Sequence, residues 1–269
     1  MATAIVNPYS VASAGFNPAT DMNWHTLFWA EGAKYKATNS VNGAQITTVP
    51  DEHGAVADYA TMATGSPNFT HQTGTAGVLN SQPHWKTTGT AHGTMSTGPW
   101  VKAPPFTGSQ HGSTVIIIFE PDTGSYTNSM LMSGPNQGTG FLYMASGSNL
   151  TAYGNSGGTT GNFITTLYPT KGAANGIRWQ RSALQYAYMY LNGSAPQQVG
   201  SSANGGVARY GVTGNEGVQI SSYSTGTYPF QGAMAFMGIY SDNNGFITSD
   251  SKWNDLKAWA LSHYGATLT

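Results

Sequence analysis

The sequence of 269 residues predicts an all-β protein, a sandwich of antiparallel strands with one C-terminal α-helix packed on it. Three observations indicate this class. Short apolar or alternating runs recur along the chain and are separated by small, polar turn residues. Glycine is frequent, with 35 residues, but 7 Trp, 15 Tyr and 10 Phe supply enough large side chains for a core. A single segment near the end has apolar residues at helical spacing.

The clearest strand covers residues 113–120, a near-continuous apolar run that indicates burial on both faces of a sheet. This run ends at PDTG (121–124), which is a turn signal. The pair Asn192-Gly193 predicts a hairpin turn, because both residues tolerate the positive φ that a two-residue loop requires. The other predicted strands cover residues 129–133, 140–145, 176–182, 185–191, 218–222 and 232–240.

The predicted helix follows Ser249 or Asp250, either of which can cap its N-terminus, and stops at Gly265. Its apolar face is formed by residues at three- to four-residue spacing: Trp253, Leu256, Ala260 and His263 or Tyr264. A lone helix of this length is marginal in water. We therefore expect it to dock on the sheet.

The chain divides into an arm and one domain. Residues 1–24 contain two Asn-Pro pairs and predict an extended N-terminal attachment arm rather than a helix. Residues 25–269 predict a single domain, since no linker or charge block interrupts them. Within it, the Gly- and Pro-marked residues 86–112 predict a long surface excursion. GNSGG (154–158) predicts a loop without the lysine of a phosphate-binding loop.

Composition excludes several classes of function. Charged residues make up 8% and the net charge is -1, so no basic surplus is present for nucleic acid or an anionic membrane. No apolar run approaches the roughly 20 residues of a membrane helix. Cysteine is absent, which rules out disulfides, thiolate metal sites and cysteine catalysis. The N-terminus also lacks the basic start of a secretory signal.

Four stretches together resemble the concanavalin A-like lectin/glucanase superfamily, in its laminin-G-like branch. They are TVIIIF (114–119), YMYLNG (188–193), FQGAMAFMGIY (230–240) and the closing segment from residue 247 to WALSHYG (259–265), with weaker matches at VPDEHG (49–54) and SQPHW (81–85). The resemblance implies an antiparallel two-sheet jelly-roll sandwich. Similar domains occur in bacteriophage tail and virion proteins, which implies the same setting here.

Catalysis and metal binding find little support in the residues. Glu120-Pro121-Asp122 is the only Glu-x-Asp, but the third acid of the superfamily's glucanase motif is missing, since position 125 is Ser. The seven histidines are scattered without metal-ligand spacing. Asp242-Asn243-Asn244-Gly245, and Asp51-Glu52 with Asp58, are weak candidates for calcium. We predict no catalytic residue, no metal and no cofactor.

Tyrosines are the best candidates for ligand binding. Three of them share one face of the strand predicted at 185–191: Tyr186, Tyr188 and Tyr190. If Met189 and Leu191 face the core, these rings line the other face. Trp179 and Arg181, which alternate on the neighbouring strand, are predicted to join them. Alternatives are the loop aromatics Trp85, Trp100, Tyr223 and Tyr228, packing of the stripe under the helix, or a protein interface.

These observations predict a non-enzymatic bacteriophage virion protein, in the tail or tail tip. We expect its arm to bind other virion proteins and its lectin-like domain to face outward and adhere to host-surface glycan. We expect a homo-oligomer in the particle, assembled in the host cytoplasm and released by lysis. The alternatives are a capsid decoration protein without ligand, and a carbohydrate-binding module or glycan hydrolase of the same fold.

Overall fold

The computed structural model describes residues 15–53, 59–61, 69–87, 101–102, 112–124, 129–133, 141–144, 149–156, 159–181, 187–199, 217–220, 230–242 and 247–269. The helices in these ranges are α1 (Pro18–Asp21), α2 (Ala33–Thr38) and α3 (Trp253–Tyr264). None of these helices is long and apolar enough to span a lipid bilayer.

The strands of the described residues follow in chain order. The first eight are β1 (Trp24–Trp29), β2 (Thr48–Pro50), β3 (Tyr59–Thr61), β4 (Phe69–Gln72), β5 (His84–Thr87), β6 (Val101–Lys102), β7 (Gly112–Pro121) and β8 (Ser129–Ser133). The rest are β9 (Phe141–Met144), β10 (Leu150–Ser156), β11 (Thr159–Ile164), β12 (Asn175–Arg181), β13 (Ala187–Leu191), β14 (Gln197–Val199), β15 (Gly217–Ile220) and β16 (Gly232–Asp242).

The strands form two main antiparallel sheets, which confirms the predicted all-β sandwich. The larger sheet has eight strands in the order β14-β13-β12-β7-β16-β5-β4, with β1 pairing the second half of β16. The smaller sheet has six strands in the order β11-β10-β9-β8-β15-β6. Strands β2 and β3 form a separate ribbon. The predicted strands at 129–133 and 232–240 correspond to β8 and β16, and the predicted hairpin turn has positive φ at Asn192 and Gly193.

The central strand β7 explains why the apolar run is continuous. Val115, Ile117 and Phe119 lie in the core between the two sheets, with Leu131 of the smaller sheet. Ile116 and Ile118 lie in a second apolar cluster on the other face of the large sheet. All five β7 residues from 115 to 119 are buried. The strand is therefore covered on both faces, as the sequence predicted.

The second cluster is closed by α3, which packs on the outer face of the large sheet. Its residues in this cluster are Trp253, Leu256, Trp259, Ala260 and Tyr264. Gly265 ends the helix in the left-handed conformation, with φ of 76°, as predicted. The predicted N-cap is wrong by a few residues, because Lys252 occupies that position. Asp250 instead accepts a hydrogen bond from the Lys252 backbone N–H through Oδ1 at 2.8 Å.

A carboxylate joins α3 to the loop after β1. Glu31 Oε1 lies 2.6 Å from His263 Nε2 and accepts from the Tyr264 hydroxyl at 2.8 Å. That hydroxyl accepts in turn from Trp29 Nε1 at 2.9 Å. Burial, and then the nearby Glu31 carboxylate, raise the pKa of Tyr264 well above its usual value. The hydroxyl therefore stays protonated and remains a donor.

Three predictions of local structure need correction. Residues 17–24 do not belong to a free extended arm, because Pro18–Asp21 is helical and Trp24 is buried, donating from Nε1 to the Pro18 carbonyl at 2.7 Å. Residues 1–14 lie outside the described residues. The segment predicted as a Gly-rich loop contributes residues 154–156 to β10, which pairs with β11. The predicted surface excursion contains β6, which pairs with β15.

Candidate functional site

The outer face of β12, β13 and β14 combines tyrosines with long polar side chains. The cross-strand register pairs Arg178 with Tyr190 and Gln180 with Tyr188, and it pairs Tyr188 with Gln198 on the edge side. Directly opposed residues lie on the same face of a sheet. We call these five residues the tyrosine face. Tyr188 and Tyr190 are partly exposed and Gln198 is exposed, whereas Arg178 and Gln180 are buried beneath them.

The predicted alternation on β13 is confirmed for the residues that the structure describes. Met189 and Leu191 are buried in the core between the sheets, so Tyr188 and Tyr190 occupy the opposite face. Tyr186 lies outside the described residues. The helix approaches this face at Trp253 in the first turn of α3, whose ring centroid lies 5.6 Å from the guanidinium carbon of Arg178. Packing of the tyrosines themselves under the helix stays a prediction.

Of the two residues predicted to join the tyrosines from the neighbouring strand, Trp179 faces the core instead. Trp179 is 2% exposed, belongs to the core and pairs directly with Met189. Arg181 pairs with Ala187 and shares the strand parity of Trp179. The positions beside the tyrosines are held by Arg178 and Gln180 instead. Ile177 and Trp179 occupy alternate positions of β12, and two large apolar residues at alternate positions indicate the buried face of a strand. This pattern could have identified Trp179 as a core residue.

Arg178 holds other side chains of the tyrosine face in place through contacts with Tyr190 and Gln180. It is 5% exposed, and its guanidinium carbon lies 3.6 Å from the Tyr190 ring centroid and 5.6 Å from that of Trp253. Its Nη1 donates to Gln180 Oε1. Burial lowers the pKa of Arg178, while the Tyr190 side chain opposes this shift. Such cation–π contacts fix the relative positions of cation and ring.

The guanidinium of Arg178 contacts aromatic rings and the side-chain amide of Gln180. No carboxylate among the described residues forms an ion pair with it, and its Nε has no hydrogen-bond partner there. One face of the Tyr190 ring is occupied by the guanidinium, so Tyr188 is the better placed of the two rings to meet a ligand. The face thus offers an aromatic surface edged by hydroxyl and amide groups. It contains no acid or base pair for catalysis among its five residues.

Glu120 has a structural role. It is buried, and its Oε2 accepts from the Leu79 backbone N–H at 2.9 Å. That bond holds a turn in which Leu79, Asn80 and Ser81 all have positive φ. Asp122, the second acid of the Glu-x-Asp pattern, lies 3.7 Å from Lys86 Nζ.

The weak calcium candidates also serve the backbone. Asp51 Oδ1 accepts from the N–H groups of Leu27 and His53 at 2.8 and 3.0 Å. The Glu52 carboxylate accepts from the N–H groups of Lys34 and Tyr35 at 3.0 and 2.6 Å. Because the N-cap Gly32 has no side chain, Glu52 caps α2 from a distance.

No group of three possible metal ligands occurs in the part of the chain that the structure describes. Asp58 and Asn243–Gly245 lie outside that part. Among the alternative loop aromatics, Trp85 is a buried core residue. Trp100, Tyr223 and Tyr228 lie outside the described residues.

Comparison with known proteins supports the fold. No protein-family profile and no curated protein sequence matches the chain. The binding domain of botulinum neurotoxin serotype G is similar, with a TM-score of 0.52 and 12% identity over 89% of this chain and 51% of that one. This chain therefore spans about half of the neurotoxin domain. At this identity the similarity concerns the all-β fold alone.

Two further similar structures are carbohydrate-binding. The CBM40 carbohydrate-binding module of the Ruminococcus gnavus IT-sialidase has a TM-score of 0.43 and 16% identity, over 55% of this chain and 83% of that one. It has also been solved with α2,3-sialyllactose. Domain 4 of the arabinanase AbnA from Geobacillus stearothermophilus, solved with arabinotriose, has a TM-score of 0.42 and 10% identity over 64% and 74%. The predicted link to bacteriophages finds no support in these comparisons.

Proposed function

We propose that this domain is a non-enzymatic carbohydrate-binding module and that the tyrosine face is its binding surface. The observation that supports the proposal is the placement of a partly exposed Tyr188 ring among amide groups on a rigid sheet face. Sugars present apolar ring faces that pack on aromatic rings, and hydroxyls that exchange hydrogen bonds with amides and phenols. Gln180 and Gln198 flank Tyr188 across both neighbouring strands in the register.

Rigidity favours binding through this face. Tyr190 is held by Arg178, which is itself held by Gln180, and all three belong to strands paired on both sides. A surface that is ordered before binding loses less side-chain entropy when the ligand arrives. The structural use of Glu120 supports the non-enzymatic part of the proposal, because that carboxylate already accepts from a backbone N–H.

The test is binding to a glycan array by wild type, Tyr188→Ala and Tyr188→Phe. Sialyllactose and arabino-oligosaccharides are the first probes, since similar folds were solved with them. We expect wild type to bind, Tyr188→Ala to lose about tenfold in affinity, equivalent to about 1.4 kcal/mol, and Tyr188→Phe to retain most of it. Failure of wild type to bind any glycan would refute the proposal. Hydrolysis of a glycan by wild type would refute its non-enzymatic part, and loss of that hydrolysis in a Glu120→Gln variant that still folds would place the catalysis at Glu120.

A second candidate function is an assembly contact through the same face, as in a virion. The Arg178–Tyr190 pair beside Trp253 favours it, since Arg, Tyr and Trp are enriched at protein interfaces. The charged fraction of 8% also suits a protein packed against neighbours. Light scattering separates the two functions, because an assembly face predicts a homo-oligomer that Tyr188→Ala dissociates.

A further inference from the structure

An exposed tyrosine lies outside the tyrosine face, on the connection between β11 and β12. Residues 165–170 connect β11 to β12 and alternate strictly, with Thr165, Leu167 and Pro169 buried and the residues between them exposed. Tyr168 is 60% exposed. Among the described residues, the other exposed large hydrophobic side chain is Val41, at 66%. Its ring is flanked along the segment by the exposed Thr166 and Thr170. We call residues 165–170 the Tyr168 segment.

The Tyr168 segment is fixed at both ends. Thr165 Oγ1 donates to the Leu150 carbonyl at 2.7 Å, and the Leu150 N–H donates to the Leu167 carbonyl at 2.8 Å. The Thr170 N–H donates to Asn175 Oδ1 at 2.8 Å. Successive side chains of this extended segment point to opposite sides. Because Leu167 and Pro169 are buried, the Tyr168 ring between them points away from the core. It is held in water on an ordered backbone.

The exposed residues next to Tyr168 along the segment, Thr166 and Thr170, are neutral and polar. Thr166 donates to Gln197 Oε1 from both its N–H, at 3.3 Å, and its hydroxyl, at 3.1 Å. The nearest cation along the chain, Lys171, donates its ammonium to the Gly124 carbonyl at 2.9 Å. Hydroxyls and an amide around an exposed ring match an uncharged sugar better than an anion or an apolar peptide.

The edge strand β14 lies between this segment and the tyrosine face. Gln197 pairs with the inward-facing Met189 and contacts Thr166, whereas the next residue, Gln198, pairs with Tyr188. Successive side chains of a strand point to opposite faces. The contact of the Tyr168 segment at Thr166 and the pairing of Tyr188 therefore involve successive residues of β14, whose side chains point to opposite faces of this strand.

We infer that Tyr168 forms a second subsite for a neutral oligosaccharide, and that one glycan chain crosses the β14 edge to contact Tyr188 and Tyr168 together. This inference rests on the proposed carbohydrate binding and adds the length and charge of the ligand. A monosaccharide or disaccharide fills only the tyrosine face. A longer neutral chain gains the second ring, so affinity rises with length.

The experiment is isothermal titration calorimetry with neutral gluco-, manno- and arabino-oligosaccharides, from the monosaccharide to the hexasaccharide. We expect Tyr168→Ala to weaken hexasaccharide binding about tenfold and to leave disaccharide binding unchanged. Tyr168→Phe keeps the ring and should bind as wild type does. Val41→Ala is the matched control for removal of an exposed apolar side chain elsewhere, and thermal unfolding verifies that each variant folds.

The outcomes separate the two proposals. If Tyr168→Ala binds every length as wild type does, the second subsite is wrong while the tyrosine face stands. If Tyr168→Ala weakens all lengths equally, the crossing of β14 is wrong. If wild type binds no sugar in the series or on the array, the carbohydrate-binding function fails and the subsite with it.

Discussion

Replacement of Glu31 by alanine would test how α3 is held on the large sheet. Glu31 Oε1 accepts from the Tyr264 hydroxyl at 2.8 Å and contacts His263 Nε2 at 2.6 Å. Tyr264 is fully buried, so its hydroxyl hydrogen has no access to water once this acceptor is removed. An orphaned buried donor is more costly than the loss of an exposed hydrogen bond.

The magnitude follows from these two contacts. A hydrogen bond to a charged group contributes about 1.5–3 kcal/mol when it is buried. The contact with His263 counts for less, since that side chain is 29% exposed and water screens it. We therefore expect Glu31→Ala to lower the free energy of unfolding by about 2–4 kcal/mol. For a chain of 269 residues that corresponds to a fall in Tm of about 4–7 °C.

Thermal unfolding followed by circular dichroism measures this loss. Glu31→Gln keeps a carbonyl oxygen as acceptor and should lose less than half as much. Tyr264→Phe removes the donor, so Glu31→Ala should cost less in that background, and the double-mutant cycle gives the coupling energy. A Tm for Glu31→Ala equal to that of wild type, or a coupling energy of zero, would show that the carboxylate does not hold the helix.

Two further predictions concern stability. Gly32→Ala places a Cβ 2.1 Å from the Glu52 carboxyl carbon. It should displace that cap of α2 and lower the free energy of unfolding, measured with denaturant, by about 1 kcal/mol. The control is Gly124→Ala, which has open space around the new Cβ and should have no such effect. Equal effects of the two substitutions would contradict the capping role. Burial lowers the pKa of His71 and of His84 below the usual value of 6.5. As the pH falls, the unfolded chain therefore takes up protons at a higher pH than the folded protein does. Stability should be full above pH 7 and fall as pH drops through 6.5, and a Tm that is constant from pH 8 to 5 would refute this.

Local patterns were sufficient for much of the fold. The continuous apolar run of β7, the spacing of Trp253 and Leu256, and the turn at Asn192-Gly193 each depend on neighbours within a few residues, and the structure confirms them. The hairpin of β10 and β11 escaped prediction because Gly and Asn have low strand propensity. There the cross-strand pairing outweighs local preference.

The candidate site could be predicted only in part. The alternation of β13 placed Tyr188 and Tyr190 opposite Met189, and this is independent of other strands. Their companions depend on the register between β12 and β13, which pairs Arg178 with Tyr190. A one-residue error in register moves every side chain of a strand to the other face, and that is how Trp179 was misplaced.

Composition and local pattern were enough to predict antiparallel β-layers and a docked terminal helix, in a chain with no cysteine and only 8% charged residues. These features follow from composition and from short-range periodicity, which depend only on residues close to one another in the chain. The partners of the acidic and aromatic side chains became visible only in the folded protein, because residue spacing does not show which distant segments will meet. Glu52 accepts from Lys34, 18 residues earlier in the chain, and Glu31 contacts His263, 232 residues later. Strand β14 places Gln197 beside Thr166 and Gln198 opposite Tyr188.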